Sequence, residues 1–420
     1  MMRARRVAAA VALVLAACRP AGPPVAPGVG LPRTEPTVRV GIAVDTPRVA
    51  VGAGTSYEIL DARGEVVVSA RAEDVWSFTA DGRGRLTGRN QAGRSVGPLE
   101  PPVRVRARGA GPVTIAGRPY RGGAVLLSNR PGRVTAVNIV ELEEYLLGVV
   151  PSEIGRRPAE ELEAIKAQAV AARTYAIANL GGRESLGFDY YATTADQVYG
   201  GIAAEDSVVS RAVEGTRGEI LTYAGRPILA YFHSTCGGRT ADISEVWPWR
   251  APQPYLRSVS DRIPGTDRHY CDASNRFRWT TTWTGEQLAR ILATTLMNRA
   301  GEGASRVRRV ERVELDGKTG SGRAKAVRIV ADGQTYRVRA DSIRWVLRPE
   351  PGRILNSSLL LSLEQKRTGG EVRQLVARGG GWGHGVGMCQ WGAIGRARAG
   401  QNYREILSAY YRDTRISRLY

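Results

Sequence analysis

The sequence predicts an α+β protein in which a β-rich N-terminal unit precedes a mixed α/β domain with a long helix of small residues and a β-rich insertion. Residues 38–112 contain short apolar and β-branched runs separated by Gly, Pro, Asn and Asp, the pattern of strands and tight turns. Residues 158–180 repeat small apolar side chains at steps of three and four, which predicts a closely packed helix. Short strand patterns return at residues 306–361.

The first 17 residues are typical of an export signal. Residues 1–6 are basic, residues 7–17 are apolar, and the run ends in Leu-Ala-Ala-Cys18. The apolar run is shorter than the roughly 20 residues that a membrane-spanning helix needs. The ending resembles a bacterial lipoprotein box, so we predict an extracytoplasmic lipoprotein that is anchored to the membrane through a lipid on Cys18. The alternative is ordinary cleavage, which would release a free secreted protein.

Residues 18–37 are rich in Pro and Gly and predict an extended, unpacked tether. The hydrophobic content of 43% is enough for substantial buried cores in the rest of the chain. The formal charge of +20 would ordinarily favour nucleic acid, but export argues against it, and we predict no nucleic-acid partner. An anionic envelope polymer or membrane surface is the weaker partner that this charge predicts.

Inside the mixed domain, residues 148–154 predict a tight turn before the long helix. That helix is expected to begin near Pro158, whose fixed φ suits a first helical position, and to end at Gly181. The pattern further predicts a short helix at 207–214, a hairpin at 216–232 and a closing helix that contains Ile406, Leu407 and Tyr410.

Residues 379–393 carry glycine at nearly every second position, which allows backbone to approach backbone or a ligand where a Cβ would collide. Their spacing matches neither a dinucleotide fingerprint nor a phosphate loop, so nucleotide binding has no support. The triplet Lys318-Thr-Gly320 matches one signature of penicillin-binding proteins. The sequence contains no Ser-x-x-Lys, however, so a hairpin tip is the better interpretation.

Four motifs together carry a resemblance to a known family. They are residues 143–153 (EEYLLGVVPSE), 164–176 (AIKAQAVAARTYA), 236–240 (CGGRT) and 382–393 (WGHGVGMCQWGA). In this order they resemble the family of stage II sporulation protein D and the amidase enhancer (SpoIID/LytB), and the likeness covers residues 113–420. One departure is Cys389, where such proteins usually carry Ser.

The resemblance implies a peptidoglycan lytic transglycosylase. Such an enzyme cuts the β-1,4 bond between N-acetylmuramic acid and N-acetylglucosamine in peptide-poor glycan strands and leaves 1,6-anhydro ends. Glycan strands are then the main partner, and a cell-wall amidase is a second candidate. Ordinary glycosidases need two carboxylates. Here the sugar's own 6-hydroxyl can attack the anomeric carbon, so one carboxyl that donates and then accepts a proton could suffice.

Glu153 matches the family's catalytic glutamate. From the residues alone, the alternative is that Glu153 only caps or charges the start of the next helix. The neighbouring acids Glu141, Glu143 and Glu144 are expected at the surface. Polar members of the matching motifs are the candidate substrate-binding residues: Gln168, Arg173, Tyr175, Gln197, Tyr199, His384 and Gln390. His384 has an alternative role in satisfying backbone groups within its own turn.

A structural zinc site is predicted from two short motifs. His233-x-x-Cys236 and His269-x-Cys271 supply two imidazoles and two thiols, a donor set that suits tetrahedral zinc. The resemblance supports a zinc site in this region without assigning its ligands. The alternatives are a disulfide between Cys236 and Cys271, which an oxidising envelope favours, or free thiols.

Three functions remain open on the sequence. The first is a lytic transglycosylase that acts through Glu153, and the second is a non-catalytic glycan-binding enhancer of a cell-wall amidase. A zinc hydrolase is the weakest, because the predicted ligand set is closed and leaves no position for water.

Overall fold

The computed structural model describes residues 32–296 and 307–420. The predicted signal peptide, Cys18 and residues 18–31 of the predicted tether lie outside this range. Within the described part of the chain, no helix is both long enough and apolar enough to cross a membrane.

The first part of the chain consists of strands, as the sequence predicts. They are β1 (Thr37–Thr46), β2 (Val49–Ala53), β3 (Tyr57–Leu60), β4 (Val66–Ala70), β5 (Trp76–Ala80), β6 (Leu86–Asn90), β7 (Ser95–Leu99), β8 (Val103–Ala107), β9 (Val113–Ile115), β10 (Arg118–Tyr120), β11 (Gly123–Leu127) and β12 (Val134–Glu141).

Helices and strands alternate in the remainder, which confirms the α+β class. These elements are α1 (Leu142–Ile154), α2 (Leu162–Ala178), β13 (Tyr190–Tyr191), α3 (Ser207–Glu214), β14 (Glu219–Tyr223), β15 (Arg226–Pro227), β16 (Phe232–His233), α4 (Ile243–Val246), β17 (Arg278–Thr284), α5 (Gly285–Thr295), β18 (Val310–Leu315), β19 (Ala326–Ala331), β20 (Gln334–Arg339), α6 (Ser342–Val346), β21 (Leu360–Thr368), β22 (Glu371–Gly380), β23 (Met388–Cys389), α7 (Gln390–Arg398), α8 (Tyr403–Tyr410) and β24 (Arg415–Arg418). Short 3₁₀ turns occupy Ala159–Glu161, Glu184–Leu186 and Gly201–Ala204.

Two sheets carry the N-terminal strands. One has seven strands in the order β13-β1-β12-β11-β8-β3-β4, and the other has six in the order β10-β9-β2-β5-β6-β7. Strands from both sides of the predicted boundary at residue 112 share these sheets, because β9 pairs with β2, β11 with β8, and β12 with β1. Their buried faces form one core with α1 and α2. Residues 38–112 therefore have no core of their own.

A second core lies within residues 279–377. Two three-stranded sheets, β17-β22-β21 and β18-β19-β20, pack with α5 and α6 around it. The largest buried side chain there is Trp283, whose indole N–H donates to the Arg348 carbonyl at 2.7 Å. The strands predicted at residues 306–361 thus belong to a larger unit that draws on both flanking segments.

Residues 148–154 form the second half of α1, so the predicted turn is wrong. The apolar face of this helix is fully buried: Leu142, Tyr145, Leu146, Val149 and Val150. Proline inside a helix costs about 3 kcal/mol. Burying one large apolar side chain contributes about 1.5–3 kcal/mol, so the packing of this face outweighs the cost of Pro151.

The end of the predicted tether is packed against the first helix. Glu35 Oε1 accepts the Glu143 N–H at 2.8 Å, and the Leu142 N–H donates to the Pro36 carbonyl at 3.0 Å. Glu35 also forms an ion pair with Arg217. A helix N-terminus leaves backbone N–H groups unpaired and favours a carboxylate, which explains why Glu35 binds at the start of α1.

A buried ion pair joins α1 to α2. Arg173 donates to the Glu143 carboxylate through Nε at 2.8 Å and through Nη2 at 2.7 Å, and its remaining N–H groups reach the carbonyls of Val213 and Glu219. Burial by itself raises the pKa of Glu143, but the hydrogen bonds and charge of Arg173 outweigh it and leave that pKa lowered. Glu143 is thus buried, against the expectation of a surface role, because its partner lies 30 residues away in sequence.

Glu143→Gln is expected to lower the free energy of unfolding by about 3–5 kcal/mol, because the variant leaves the Arg173 charge buried and unpaired. The lowered pKa means that the wild-type contribution is present above the ordinary Glu pKa of 4.5 and is lost as the pH falls through the folded-state value. Urea unfolding across pH measures both effects. The exposed neighbour Glu141→Gln is the control, with a change within about 0.5 kcal/mol, and equal losses in the two variants would contradict the assignment.

Candidate functional site

Glu153 lies in the last turn of α1, and its side chain is half-buried. Its Oε1 accepts the backbone N–H of Val198 at 2.6 Å. The helix ends at Gly155, whose φ of +80° is accessible to glycine at little cost and whose N–H donates to the Pro151 carbonyl. The carboxyl is therefore held at a helix C-terminus, where the helix dipole does not favour a negative charge.

The segment around Val198 is fixed against α1 by close backbone contacts. A Cβ at Gly148 would lie 2.6 Å from the Tyr199 ring, so only glycine there lets this ring pack on the helix. Gly200 N–H donates to the Gly148 carbonyl at 3.1 Å, and the Tyr199 hydroxyl donates to Asn138 on β12 at 3.0 Å. These contacts hold the Val198 N–H in place for Glu153.

The environment of Glu153 favours the neutral acid. Burial raises the pKa of its carboxyl from 4.5 to about 7, and the hydrogen bond from Val198 lowers it only in part. No charged neighbour among the described residues contributes to this shift. Near neutral pH the carboxyl is therefore able both to donate and to accept a proton.

Four half-buried rings form an aromatic line that begins beside this segment: Tyr175, Tyr231, Trp247 and His384. Successive ring centroids are 6.0, 5.0 and 5.1 Å apart. The Tyr175 hydroxyl donates to Asp196, two residues before Val198, at 3.2 Å. The aromatic line thus starts next to the Asp196–Val198 segment, whose Val198 N–H binds Glu153, and it ends in the glycine-rich segment.

His384 accepts a hydrogen bond from the Val386 N–H through Nδ1 at 3.0 Å, which is the turn-stabilising role. Burial lowers its pKa to about 4, so the ring is neutral at pH 7. The segment around His384 requires glycine because other backbone groups pack closely against it. A Cβ at Gly387, where φ is +72°, would lie 2.0 Å from the Tyr231 carbonyl oxygen.

A second constellation, here called the thiol cluster, consists of Cys236, Cys271, Cys389 and Asp261. All four are buried, and one donor atom from each lies within 4.8 Å of the others. The Cys236 and Cys271 sulfurs are 3.4 Å apart, well beyond the length of a disulfide bond. Three thiols and one carboxylate suit a tetrahedral zinc ion, so the donor set fits that metal.

Burial raises the pKa of the Cys236 and Cys389 thiols, whereas the setting of the Cys271 sulfur favours the thiolate. Backbone N–H groups of Gly238 and Gly392 donate to the sulfurs of Cys236 and Cys389 at 3.3 and 3.2 Å. Hydrogen bonds from the Cys236 and Cys389 thiols lower the pKa of Cys271. The thiolate is the form that binds metal. Asp261 is oriented by the Tyr410 hydroxyl at 2.7 Å and by Arg396, as the outer shell of a metal site would require.

Comparison with known proteins identifies relatives of this chain. A family model described as Stage II sporulation protein matches residues 130–223, which contain Glu153 and its supports, and a domain of unknown function matches residues 266–387. The chain is 31% identical over 302 residues to Stage II sporulation protein D of Bacillus amyloliquefaciens, covering 67% of this chain and 76% of that protein. The chain belongs to the stage II sporulation protein D family.

Two further relatives extend the comparison. An uncharacterized protein of Brachyspira hyodysenteriae is 34% identical over 304 residues, which cover 72% of this chain and 73% of that protein. The Amidase enhancer of Bacillus subtilis is 30% identical over 299 residues, which cover 65% of this chain but only 40% of the enhancer.

Most of the predicted substrate-binding residues of this family member are buried supports. Gln168 and Gln390 bond to each other at 3.3 Å, and Gln197 binds the Tyr145 hydroxyl. The side chains of Arg173 and Tyr199 are engaged in the contacts described above. All five of these residues are buried. Tyr175 and His384 are half-buried and remain candidates.

The structure brings together only two of the four predicted metal ligands. Cys236 and Cys271 meet in the thiol cluster, whereas the His233 ring packs against His384 and the His269 ring against Phe277. Asp261 and Cys389 take their place. Cys389 carried a signal in the sequence, as a departure from the family resemblance, but Asp261 carried none.

Glu153→Gln is expected to change the pH dependence of stability. The raised pKa means that the folded wild type holds a proton between about pH 4.5 and 7 that the unfolded chain has lost, so its stability falls as the pH rises through this window. Glutamine keeps the acceptor for Val198 and lacks the titration. Urea unfolding from pH 4 to 8 should therefore show that the free energy of unfolding of the variant rises relative to that of the wild type until about pH 7. Parallel curves would refute the buried-acid assignment, and exposed Glu160→Gln is the control.

Proposed function

We propose that this protein is a peptidoglycan lytic transglycosylase that cleaves the β-1,4 bond between N-acetylmuramic acid and N-acetylglucosamine in peptide-poor glycan strands. The observation that carries the proposal is the Glu153 carboxyl, whose pKa burial raises to about 7 and which binds the Asp196–Val198 segment where a line of half-buried rings begins. Membership of the stage II sporulation protein D family supports a role at the cell wall. The N-terminal 18 residues support an extracytoplasmic location with a lipid anchor on Cys18.

One carboxyl is sufficient for this reaction. The protonated Glu153 donates its proton to the glycosidic oxygen as the bond from the anomeric carbon to that oxygen breaks. The 6-hydroxyl oxygen of the muramyl residue forms a new bond to the same carbon, and its proton returns to the Glu153 carboxylate. The products are a free 4-hydroxyl and a 1,6-anhydro end, no water is consumed, and the acid is regenerated.

The aromatic line offers the binding surface that such a reaction needs. Binding sites combine aromatic walls with a few placed polar groups. Tyr175, Tyr231 and Trp247 present partly exposed rings on which the flat faces of sugar rings can stack. The Arg250 guanidinium carbon lies 5.9 Å from the ring centroids of both Tyr231 and Trp247, so its N–H groups add hydrogen-bond donors next to these rings. A glycan bound along the aromatic line would lie next to the Asp196–Val198 segment, which binds Glu153.

Glu153→Gln is expected to reduce cleavage on the order of 10²–10⁴-fold, since it removes the transferable proton and keeps the shape. Purified protein is incubated with peptide-free glycan strands, and the ends are identified by mass spectrometry. Wild-type activity should fall above about pH 7, where Glu153 loses its proton. The control is Glu160→Gln, an exposed glutamate outside the site, which should cleave as the wild type does.

The second candidate function is a non-catalytic enhancer of a cell-wall amidase, favoured by the similarity to the Amidase enhancer of Bacillus subtilis. It would use the aromatic line and would not need the acid. If the wild type binds glycan but produces no anhydro ends, the transglycosylase proposal fails. Stimulation of an amidase by the wild type and by Glu153→Gln alike would then support the enhancer.

We also propose that the thiol cluster holds a structural zinc ion, with Cys236, Cys271 and Cys389 as thiolate ligands and Asp261 as the fourth. Four protein donors leave no position for water, so the metal would stabilise the fold and not catalyse. It would tie the loop around Cys271 to the glycine-rich segment that carries His384. No step of the proposed cleavage passes through the metal.

Elemental analysis of protein purified without added metal should find one zinc per chain, and Cys271→Ser should abolish it. Structural zinc contributes directly to folding, so removal by a chelator should lower the temperature of unfolding. Substitution of cobalt for zinc should give the absorption bands of tetrahedral thiolate coordination. A protein free of metal in which two of the three thiols resist labelling until reduced would instead establish the disulfide.

A further inference from the structure

A cavity of about 460 Å³ lies between residues 244–248 and the β18-β19-β20 sheet. Its basic lining residues define what we call the cationic cleft: Lys318, Lys325, Arg337 and Arg339. The Lys318-Thr-Gly320 triplet lies in the β18–β19 connection of a hairpin, as the sequence predicts, and lines the cleft.

All four cationic side chains of the cleft are exposed, and one of them has an ion-pair partner. Arg337 donates to Asp316 at 2.5 Å, but Lys318, Lys325 and Arg339 form no ion pair within the described residues. The one acid of the lining, Glu245, accepts the Ser321 N–H at 3.2 Å and so holds the Lys318 loop against α4. Lys318 and Lys325 lie in the β18–β19 connection and Arg337 and Arg339 lie on β20, so like charges gather around the cleft and repel one another. An anionic ligand would relieve this repulsion.

The cleft and the aromatic line share one wall. Ser244, Glu245 and Pro248 line the cleft, whereas the ring of Trp247 packs against Tyr231 and His384 at 5.0 and 5.1 Å. A single segment of chain thus presents an aromatic ring to one surface and borders the cationic cleft on another. The aromatic line and the cationic cleft therefore adjoin at residues 244–248.

We propose that the cationic cleft binds the free carboxylates of peptide-free glycan strands, a specificity that rests on the function proposed above. Each muramyl residue carries a lactyl group, whose carboxylate is free and negatively charged only after the peptide has been removed. In peptide-bearing glycan the same group is a neutral amide. Lys and Arg side chains bind carboxylates through charge-assisted hydrogen bonds. The cleft therefore selects strands from which the peptides have been removed.

The test compares peptide-free glycan strands with the same strands after carbodiimide coupling has converted their lactyl carboxylates into methylamides. The full chain is titrated with each by calorimetry, and anhydro ends are quantified in parallel. Wild type should bind the amidated strands about three- to tenfold more weakly. Raising the salt concentration should shrink that difference, because exposed charges are screened.

The double variant Lys318→Gln/Lys325→Gln should bind both forms with the weaker affinity. Its control, Lys366→Gln/Arg367→Gln, removes the same charge from exposed positions of β21 and should discriminate as the wild type does. Wild type that binds both forms equally, or a cleft variant that still discriminates, would overturn the inference. The wild-type comparison decides this even if the variant fails to fold.

The two proposals fail in different ways. Discrimination in binding without anhydro products would refute the transglycosylase and leave the cleft assignment standing. Anhydro products from both forms with equal affinity would refute the cleft alone. If a poly(glycerol phosphate) competes for the cleft more strongly than the peptide-free strands do, the ligand is a phosphodiester polymer and the carboxylate assignment falls.

Discussion

The buried ion pair between Glu143 and Arg173 is the interaction on which the site depends. It crosses from α1 to α2, and the same carboxylate also accepts the Gly218 N–H and the Tyr420 hydroxyl at 3.2 and 2.7 Å. Four separate parts of the chain are thereby fixed at one point. Removing one partner of such a pair is far more costly than the pair's net contribution, because a charge is left without compensation. The orientation of α1, and with it the position of Glu153, follows from this constraint.

Two carboxylates on one helix have opposite properties. Glu143 has an arginine partner and a lowered pKa, whereas Glu153, ten residues later, has one backbone N–H and a raised pKa. Burial raises the pKa of both carboxyls, so burial alone does not distinguish them. The presence or absence of a neighbouring cation does. Environments that shift the pKa values of two acids in opposite directions are typical of sites in which one carboxyl must carry a proton near neutral pH.

The long helix and the strands were accessible to sequence reasoning because they depend on local periodicity. α2 shows its small-residue face directly, and α8 is marked by Ile406, Leu407 and Tyr410. α1 has an equally clear period in its buried residues, but Pro151 argues against a helix from the sequence alone. Local rules give the wrong answer there because the packing energy of the apolar face is supplied by distant parts of the chain.

Some features of the candidate site were likewise accessible from the sequence, and others were not. Motif likeness and residue chemistry singled out Glu153, the glycine-rich segment, and Cys236 with Cys271, and the family is confirmed. Only the tertiary structure placed Glu143 and Arg173 in the interior. It also brought Asp261 and Cys389, and not the two predicted histidines, next to Cys236 and Cys271. The clustering of four basic residues around one cleft likewise depends on the fold. The physical reason is that a sequence pattern reports only on interactions between residues that are close together in the chain. Desolvation, ion pairing and ligand convergence depend on which distant residues the fold brings within a few ångströms.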